Sequence, residues 1–596
     1  MKHLSVQSRK QNILWNRGRH LWLASLAAGL ATIGVLAIRG SHAVAKEGLP
    51  SKTALDDYIA KPDDSYSWKI VKTIAYPGGK TFVVDMISQT WRTKEEVDRP
   101  QWQHWLLVTV PDKVKSEIGF LMIGGGHNGG DPPGKPDDIV LKIARTTGTV
   151  VAELKMVPNQ PLVFHQDGLP RSEDDLVAYT WDQFLKTGDP TWPARNPMVK
   201  SAVRALDTIT ALMASSEGGK QTVDKFVVAG GSKRGWTTWL TGAVDHRVVA
   251  IIPIVIDVLN VRQSMLHHFA AYGFWAPSVG DYVAHRIMER MDDPRTAELY
   301  KLVDPFAYRH RLTMPKFLVN GSGDQFFLPD SSRFYFADLL GEKHLRYVPN
   351  ADHGLKGSDA VESIAAFYWM IVNGVPRPEF SWTFEKDGSI RVQTTDQRPK
   401  QVKLWQATNP AARDFRLESL GPKYTSQLLK DQGDGVYVAS LSAPIKGWTA
   451  AFVELTYDVG APVPIKFTTS VRILPDVLPY EDKDGTKPGT ILLSCTAADE
   501  AAAEAIERAA SSFFRTAPSP GHQPPWADKR RAAKRPPSDP QASGSSGVWG
   551  RVDRKGNQLE LHWRPQGRMR VSALGMTAWL KKQGCNKFDY RLEAGL

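Results

Sequence analysis

The chain has 596 residues, too many for one hydrophobic core, and its length predicts three or four structural units. Two cysteines, Cys495 and Cys585, are too few for a disulfide scaffold or a cysteine-rich zinc module, although one bridge between them stays open. The net charge of +12 would suit nucleic-acid binding, but much of the excess lies near the two ends, so we expect no nucleic-acid partner.

The first 45 residues predict the compartment. Basic residues up to His20 precede an apolar run from Leu21 to Ile38, and the small residues Ala43 and Ala45 follow where a signal peptide is cleaved. The run is also just long enough to span a bilayer. We therefore expect residues 1–45 to be either a signal peptide or a membrane anchor, and any membrane contact to be made by this segment. Either way, positive charge before the run predicts export, to a periplasmic, extracellular or membrane-anchored location.

Residues 46–378 have the pattern of a sheet covered by helices. The stretches 81–87 and 105–110 predict antiparallel strands that open the sheet. Short apolar runs then alternate with helical periodicity, which predicts a mostly parallel sheet with helices on both faces. Residues 261–312 lack strand-like runs and predict a helical insertion over the carboxyl ends of the strands, where such sheets bind ligands. The predicted parallel strands are 118–123, 149–152, 226–229, 248–256, 316–320 and 345–348.

The rest of the chain changes character. Residues 379–480 contain short runs of period two between turn residues, which predict a small β-sandwich. We expect 481–515 to be a connecting segment. Residues 516–547 are rich in Pro, Ser, Lys and Arg and predict a disordered linker. The final segment, 548–596, has no functional signal.

One short motif predicts a nucleophile. A buried strand runs into Gly230-Gly231-Ser232, and a segment compatible with a helix follows. Such a strand–turn–helix elbow holds a serine on a strained turn and needs small residues around it. Gly230 meets this need two residues before the serine. The glycine that usually stands two residues after the serine comes one position later, as Gly235, and Arg234 takes its place.

Two further strand ends supply the partners of a serine nucleophile. The strand 316–320 leads to Asp324, and the strand 345–348 leads to His353. Ser232, Asp324 and His353 therefore follow three separate strands in the chain order expected of a Ser–Asp–His triad. Asp257, which ends an earlier strand, is an alternative acid. The arrangement requires no metal and no organic cofactor.

An oxyanion hole needs two backbone N–H donors. We expect one from Lys233, which follows the serine, and one from the glycine loop after strand 118–123, at Gly125 or Gly126. His127 in that loop and Arg234 beside the serine are candidate substrate contacts. The cations Lys233 and Arg234 either favour an anionic substrate, or they point to solvent or pair with acids of the insertion.

Four stretches resemble one family. They are GGSKRGWTTWLTGAVDHRVVAIIPIVIDVLN (230–260), NGSGDQFFLPDSSRFY (320–335), PNADH (349–353) and LWQATNPAARDFR (404–416), and they look like the PhoPQ-activated pathogenicity-related proteins, a family that includes the autocrine proliferation repressor proteins. The resemblance covers roughly residues 50–475 and implies an α/β-hydrolase domain followed by a β-rich domain, but no substrate. The elbow alone is also similar to the G-x-S-R-x-G elbow of glucuronoyl esterases.

The sequence therefore predicts an exported serine hydrolase of the α/β-hydrolase fold. Acyl transfer to water is the expected reaction, on a small-molecule, peptide or saccharide-ester substrate. The alternative is a secreted signalling protein or a cell-envelope binding protein built on a hydrolase scaffold, because fold does not fix function.

Overall fold

Six parallel strands form the centre of a long mixed sheet in the computed structural model, which describes residues 52–486, 490–515, 550–563 and 573–593. The strands of the first part are β1 (Ser67–Tyr76), β2 (Gly79–Thr90), β3 (Gln101–Pro111), β4 (Ile118–Ile123), β5 (Val151–Leu154), β6 (Leu162–Val163), β7 (Pro170–Arg171), β8 (Lys225–Gly231), β9 (Val248–Ile254), β10 (Lys316–Gly321) and β11 (Lys343–Val348).

The order across this part of the sheet is β1-β2-β3-β5-β4-β8-β9-β10-β11, and β6 pairs with β7 apart from it. All neighbours from β5 to β11 are parallel, whereas β1, β2 and β3 are antiparallel, as predicted. Successive residues of a parallel strand enter different cores: Val228 belongs to the core on one face, and Val227 and Ala229 belong to the core on the other. The apolar runs are continuous because both faces are buried.

Helices cover the two faces of the sheet. They are α1 (Ala54–Ala60), α2 (Asp138–Thr147), α3 (Glu173–Thr187), α4 (Arg195–Ala214), α5 (Lys233–Val244), α6 (Val261–Tyr272), α7 (Gly280–Ala284), α8 (Pro294–Val303) and α9 (Ala360–Val372). Local sequence sets their ends: the side chain of Asp137 caps the first turn of α2, and Gly148 ends that helix in a left-handed conformation. The insertion between β9 and β10 consists of α6 to α8 with short 3-10 turns, in agreement with the predicted helical segment.

The strands after residue 379 form two packed layers. They are β12 (Phe380–Phe384), β13 (Ile390–Thr394), β14 (Gln401–Asn409), β15 (Thr425–Leu428), β16 (Val436–Ala439), β17 (Trp448–Tyr457), β18 (Ile465–Thr468) and β19 (Arg472–Leu474), with a short helix α10 (Leu417–Leu420). One layer is β12-β13-β16. The other, β18-β17-β14-β15, continues the central sheet because β18 pairs with β11 at Thr468 and Leu345. The predicted sandwich thus shares a sheet with the α/β part, and its strands cover an edge that β11 would otherwise expose.

Loops of the β-rich part support two loops of the α/β part. The carbonyl oxygen of Gly323 accepts a hydrogen bond from the Leu417 N–H at 2.9 Å. The side-chain amide of Asn350 donates to the Tyr424 carbonyl oxygen at 2.9 Å and accepts from the Tyr424 N–H at 2.8 Å. Gly323 and Asn350 lie immediately before the two loops that hold Asp324 and His353.

Residues 475–486 cross the helical insertion as a strap. The Tyr480 N–H donates to the Ala270 carbonyl oxygen of α6 at 2.9 Å, and the indole N–H of Trp275 donates to the Gly485 carbonyl oxygen at 3.2 Å. A Cβ on Gly273 would lie 2.8 Å from the Tyr480 ring, so the strap fits closely against the end of α6.

The last part of the chain departs from the expected connecting segment. Residues 481–515 include strand β20 (Thr490–Thr496) and helix α11 (Glu500–Arg515). β20 is an inner strand of a four-stranded sheet completed by β21 (Gly550–Lys555), β22 (Gln558–Trp563) and β23 (Asn586–Glu593), and α12 (Ala573–Lys582) packs beside it. Its strand partners lie more than 50 residues away in sequence, so local pattern did not reveal the sheet. Cys495 and Cys585 are both buried in this unit as free thiols.

Two predictions fall on residues that the structure does not describe. The signal peptide or membrane anchor at 1–45 and the linker at 516–547 both lie outside the described ranges. Among the described helices, none combines the length and the apolar character needed to cross a membrane.

Candidate active site

Ser232 occupies a sharp turn between β8 and α5. Its backbone dihedrals are φ 57° and ψ −127°, a conformation that a residue with a side chain adopts only under strain. The Ser232 N–H donates to the Ile254 carbonyl oxygen of β9 at 2.8 Å, which anchors the turn to the neighbouring strand. This is the geometry of a nucleophile elbow, where the turn lifts the hydroxyl above the end of the sheet.

Two glycines make the turn sterically feasible. A Cβ on Gly230 would lie 2.6 Å from the Arg234 carbonyl oxygen, and a Cβ on Gly235 would lie 2.8 Å from the Gly230 carbonyl oxygen. Both distances are too short for real contacts. A Cβ on Gly231 would meet nothing within 4 Å. The glycine displaced by one position in the motif therefore performs the same packing function, because Gly235 rather than residue 234 faces the start of the turn.

His353 and Asp324 are hydrogen-bonded to each other. Nδ1 of His353 lies 2.7 Å from Oδ2 of Asp324, and Oδ1 of the same carboxylate accepts the Phe326 N–H at 2.7 Å. An ionised carboxylate can only accept, so Nδ1 carries the proton and Nε2 is the basic nitrogen of the neutral ring. Nε2 is buried and makes no hydrogen bond within the described residues. The ring of Phe326 packs against the imidazole with centroids 4.3 Å apart.

Asp257, the alternative acid, has different partners. Its two carboxylate oxygens accept hydrogen bonds from the hydroxyls of Tyr335 and Tyr347, at 2.5 and 2.6 Å. Burial raises the pKa of Asp257 to about 7, although the two tyrosine hydroxyls act in the opposite direction. Asp324, and not Asp257, is therefore the carboxylate that the structure pairs with His353.

The predicted oxyanion donors are backbone N–H groups without a partner among the described residues. Lys233 is the first residue of α5, so its N–H has no acceptor inside the helix and points along the positive end of the helix dipole. Gly125 and Gly126 follow β4; their carbonyl oxygens accept from the Met156 N–H at 2.8 Å and the Gln160 amide at 3.1 Å. These bonds fix the loop, and the N–H groups of Gly125 and Gly126 have no partner among the described residues.

The two cations beside Ser232 are paired with acids of α3, not with acids of the insertion. Nζ of Lys233 lies 2.8 Å from Glu173 and 3.1 Å from Asp174. Arg234 binds both oxygens of Glu173, at 2.8 and 2.6 Å. Burial would raise the pKa of Glu173, but its bonds to Arg234 and Lys233 outweigh burial and hold that pKa well below its ordinary value. These ion pairs account for both cations without an anionic substrate.

Arg234 also binds the segment behind the glycine loop. Its Nε donates to the Val157 carbonyl oxygen, and a Cβ on Gly125 would lie 2.7 Å from its Nη2. The guanidinium therefore joins the elbow, the loop and α3, and these contacts indicate a positioning role. The substrate contact predicted for Arg234 stays a prediction. His127 lies exposed on the same loop.

A cavity of about 50 Å³ adjoins Ser232 and Lys233 beneath the helical insertion. Its wall is mostly apolar, with Met265 of α6 and several aromatic rings, and its polar groups besides Ser232 and Lys233 include Asp174 and Arg195. The sequence alone did not indicate Asp174, Arg195 or Glu173 as residues of the site. Their acidic and basic side chains lie in helices far from the elbow in sequence, and helical periodicity gives no sign of a contact between helices.

The strand order and the elbow define the class of scaffold. A mostly parallel sheet with antiparallel strands at its start, an exchange in order between β4 and β5, a serine on a strained turn after β8, and an acid and a histidine after β10 and β11 are the features of an α/β-hydrolase. The fold class expected from the sequence is confirmed.

The chain belongs to the PhoPQ-activated pathogenicity-related protein family, which it matches over residues 55–416. It is 40% identical over 459 residues to autocrine proliferation repressor protein A of Dictyostelium discoideum, a match that covers 72% of this chain and 92% of that protein. The family resemblance stated from the motifs is thus confirmed.

Two solved acetyl xylan esterases are more distantly similar. The structure of acetyl xylan esterase 1 from Thermoanaerobacterium sp. JW/SL YS485 has 12% sequence identity and a TM-score of 0.38, with coverage of 54% of this chain and 95% of that chain. The enzyme from Paenibacillus sp. R4 has 14% identity and the same TM-score, with coverage of 54% and 91%.

Proposed function

We propose that this protein is an exported serine hydrolase that transfers an acyl group to water through Ser232, His353 and Asp324. The observation that supports the proposal most directly is the bond between His353 and Asp324 at the same edge of the sheet as the elbow of Ser232. Parallel strands end together, so residues that follow β8, β10 and β11 gather at one place. Each of the three residues has the chemistry that its role requires.

The reaction follows from these assignments. Nε2 of His353 takes the proton of the Ser232 hydroxyl as the oxygen attacks the substrate carbonyl carbon, and Asp324 stabilises the imidazolium that forms. The N–H groups of Lys233 and of Gly125 or Gly126 stabilise the oxyanion. His353 then donates its proton to the leaving group, and an acyl-serine remains. Water, deprotonated by His353, releases the acid and restores the serine.

An active-site label tests the nucleophile. A fluorophosphonate should modify the wild-type protein at Ser232 alone, and Ser232→Ala should abolish both labelling and hydrolysis of 4-nitrophenyl acetate. Ser216→Ala, in an exposed turn after α4, is the matched control and should label as the wild type does. Labelling of a folded Ser232→Ala protein would remove Ser232 from the proposal.

Export is the part of the proposal that rests on residues 1–45. Expression of the full chain with a C-terminal tag, followed by cell fractionation, tests it. We expect tagged protein outside the cytoplasm, and a shift to the cytoplasm when residues 21–38 are deleted. Recovery of the full-length chain from the cytoplasm alone would contradict export.

A second candidate function is extracellular signalling. The relative from Dictyostelium discoideum is named as an autocrine proliferation repressor, and the match covers nearly its whole length. If this chain has such a role independent of hydrolysis, Ser232→Ala protein added to responsive cells would act as the wild type does. Loss of the effect in that variant would instead place signalling downstream of the hydrolase.

A further inference from the structure

Among the described residues, one buried arginine at the cavity beside Ser232 has no carboxylate within ion-pair distance. Three arginines of the described residues are less than 2% exposed: Arg195, Arg346 and Arg413. Arg346 pairs with Asp359 and Glu454, and Arg413 pairs with Asp330. Arg195 forms no ion pair within 4.0 Å among the described residues, and Asp174 is the carboxylate whose charge acts on it from a greater distance. A buried cation without a counter-ion is costly to maintain, so a protein that keeps one has a use for it.

The contacts of Arg195 hold it at the cavity wall. Its guanidinium lies over the ring of Trp236, 4.4 Å from the centroid, and Nη1 donates to the Lys233 carbonyl oxygen at 3.0 Å. Nε is buried without a partner among the described residues. Arg195 lines the same cavity as Ser232. The guanidinium is therefore fixed in orientation close to Ser232, with Tyr282 as a further hydrogen-bond partner and with one donor, Nε, unused.

The nearest acid is already engaged. Asp174 accepts the Tyr282 hydroxyl at 3.1 Å and pairs with Nζ of Lys233 at 3.1 Å. Glu173 is bound by Lys233 and Arg234. In this group three cations meet two carboxylates, which leaves one positive charge uncompensated beside the cavity.

We propose that Arg195 binds a carboxylate of the substrate, so that the hydrolase prefers a short ester with a carboxylate close to the scissile bond. This inference rests on the proposed serine hydrolysis and adds the substrate class to it. A planar guanidinium with several fixed donors matches a carboxylate. The cavity of about 50 Å³ admits only a short group. The carboxylate belongs either to the acid part or to the alcohol part of the ester.

Two pairs of esters with matched shapes show whether the bound carboxylate belongs to the acid part or to the alcohol part of the ester. Monoethyl malonate and ethyl 3-methylbutanoate differ by a carboxylate or an isopropyl group in the acid part, with ethanol release as the readout. Acetoxyacetate and 2-methylpropyl acetate differ in the same way in the alcohol part, with acetate release as the readout. For one pair, we expect the wild type to have the higher kcat/KM on the charged member.

Substitutions at Arg195 test whether this residue causes the preference for the charged ester. Arg195→Met should lower the charged-to-neutral ratio of kcat/KM about 10- to 100-fold, the range typical of a hydrogen bond to a charged group. Arg195→Lys should retain part of the preference. Arg234→Gln removes a cation that is already paired with Glu173. It should therefore lower kcat/KM on the charged and the neutral ester alike and leave the ratio of the two within about twofold of the wild type. An unchanged ratio in Arg195→Met overturns the inference.

A binding measurement gives a second test of the inference in case Arg195→Met does not fold. In the Ser232→Ala protein, the charged ester of the preferred pair should raise the melting temperature and its neutral counterpart should not; equal effects of the two esters would also overturn the inference. The proposed function itself fails only if Ser232→Ala still hydrolyses the neutral esters, so the two failures are distinguishable.

Discussion

Gly235 lies so close to Gly230 that a Cβ on it would approach the Gly230 carbonyl oxygen to 2.8 Å. The two glycines face each other across the turn that holds Ser232. We predict that Gly235→Ala destabilises the protein by about 1–3 kcal/mol and displaces the nucleophile, because the turn cannot expand without moving β8 against α5.

Gly231→Ala is the matched control for that change. A methyl group at this position meets no atom within 4 Å, so stability and hydrolysis should remain near the wild-type level. Melting temperature and initial rate on 4-nitrophenyl acetate measure both effects. Equal behaviour of the two alanine variants would mean that the close contact at Gly235 does not shape the elbow.

Replacement of the two candidate acids separates their roles. Asp324→Asn keeps the shape of the side chain but removes the charge that stabilises the imidazolium of His353, so we expect a loss on the order of 10² to 10⁴ in kcat with little change in melting temperature. Asp257→Asn should retain most of its turnover because its partners are Tyr335 and Tyr347. A folded, inactive Asp257→Asn protein would transfer the role of the acid to Asp257.

Asp257 should also shape the dependence of stability on pH. Its pKa is raised to about 7 in the folded protein, from an ordinary value of 3.8, so the folded state holds this proton more tightly than the unfolded chain does. The contribution of Asp257 to the free energy of unfolding is fully present below about pH 4. It is lost as pH rises to about 7, at about 1.4 kcal/mol for each pH unit.

Asparagine cannot ionise, so Asp257→Asn should remove the part of the pH dependence of stability that Asp257 causes. The melting temperature of the variant relative to the wild type should rise between pH 5 and pH 8. Asp131→Asn, in an exposed loop, controls for the loss of one negative charge. Parallel pH profiles for Asp257→Asn and the wild type would show that Asp257 does not titrate in this window.

The strap of residues 475–486 should stabilise the cavity. It binds α6 through Tyr480 and Gly485, and α6 contributes Met265 to the cavity wall. A chain that ends at Thr486 keeps these contacts, and a chain that ends at Leu474 lacks them, while both lack the same C-terminal unit. We expect the shorter chain to have the higher KM and the lower melting temperature. Identical kinetics in the two truncated proteins would contradict a role for the strap.

Much of the fold follows from local pattern. The apolar runs of β8, β10 and β11 are read directly from the sequence because parallel strands buried on both faces contain few polar residues. The order Ser232, Asp324, His353 follows from these strands, and the bond between His353 and Asp324 has the partners that this order predicts. Each of these features depends on residues close together in sequence or on a known order of elements.

Contacts between elements that are distant in sequence could not be predicted from local pattern. The pairing of Lys233 and Arg234 with Glu173 joins helices separated by about 60 residues, and nothing in either helix indicates its partner. The same holds for the guanidinium of Arg195 over the ring of Trp236. The continuity of β11 with β18 was missed because period two in a strand indicates a buried face but not the sheet to which it belongs.

The bonds of Leu417 to Gly323 and of Tyr424 to Asn350 bear on how this architecture is inherited. The loops of Asp324 and His353 each contact the β-rich part, and the family match spans residues 55–416, past the point where that part begins. Recombination that exchanged the two parts between distant relatives would have to restore the hydrogen bonds that support both loops at once. We therefore expect the hydrolase scaffold and its β-rich companion to vary together, because the geometry of each part constrains the other.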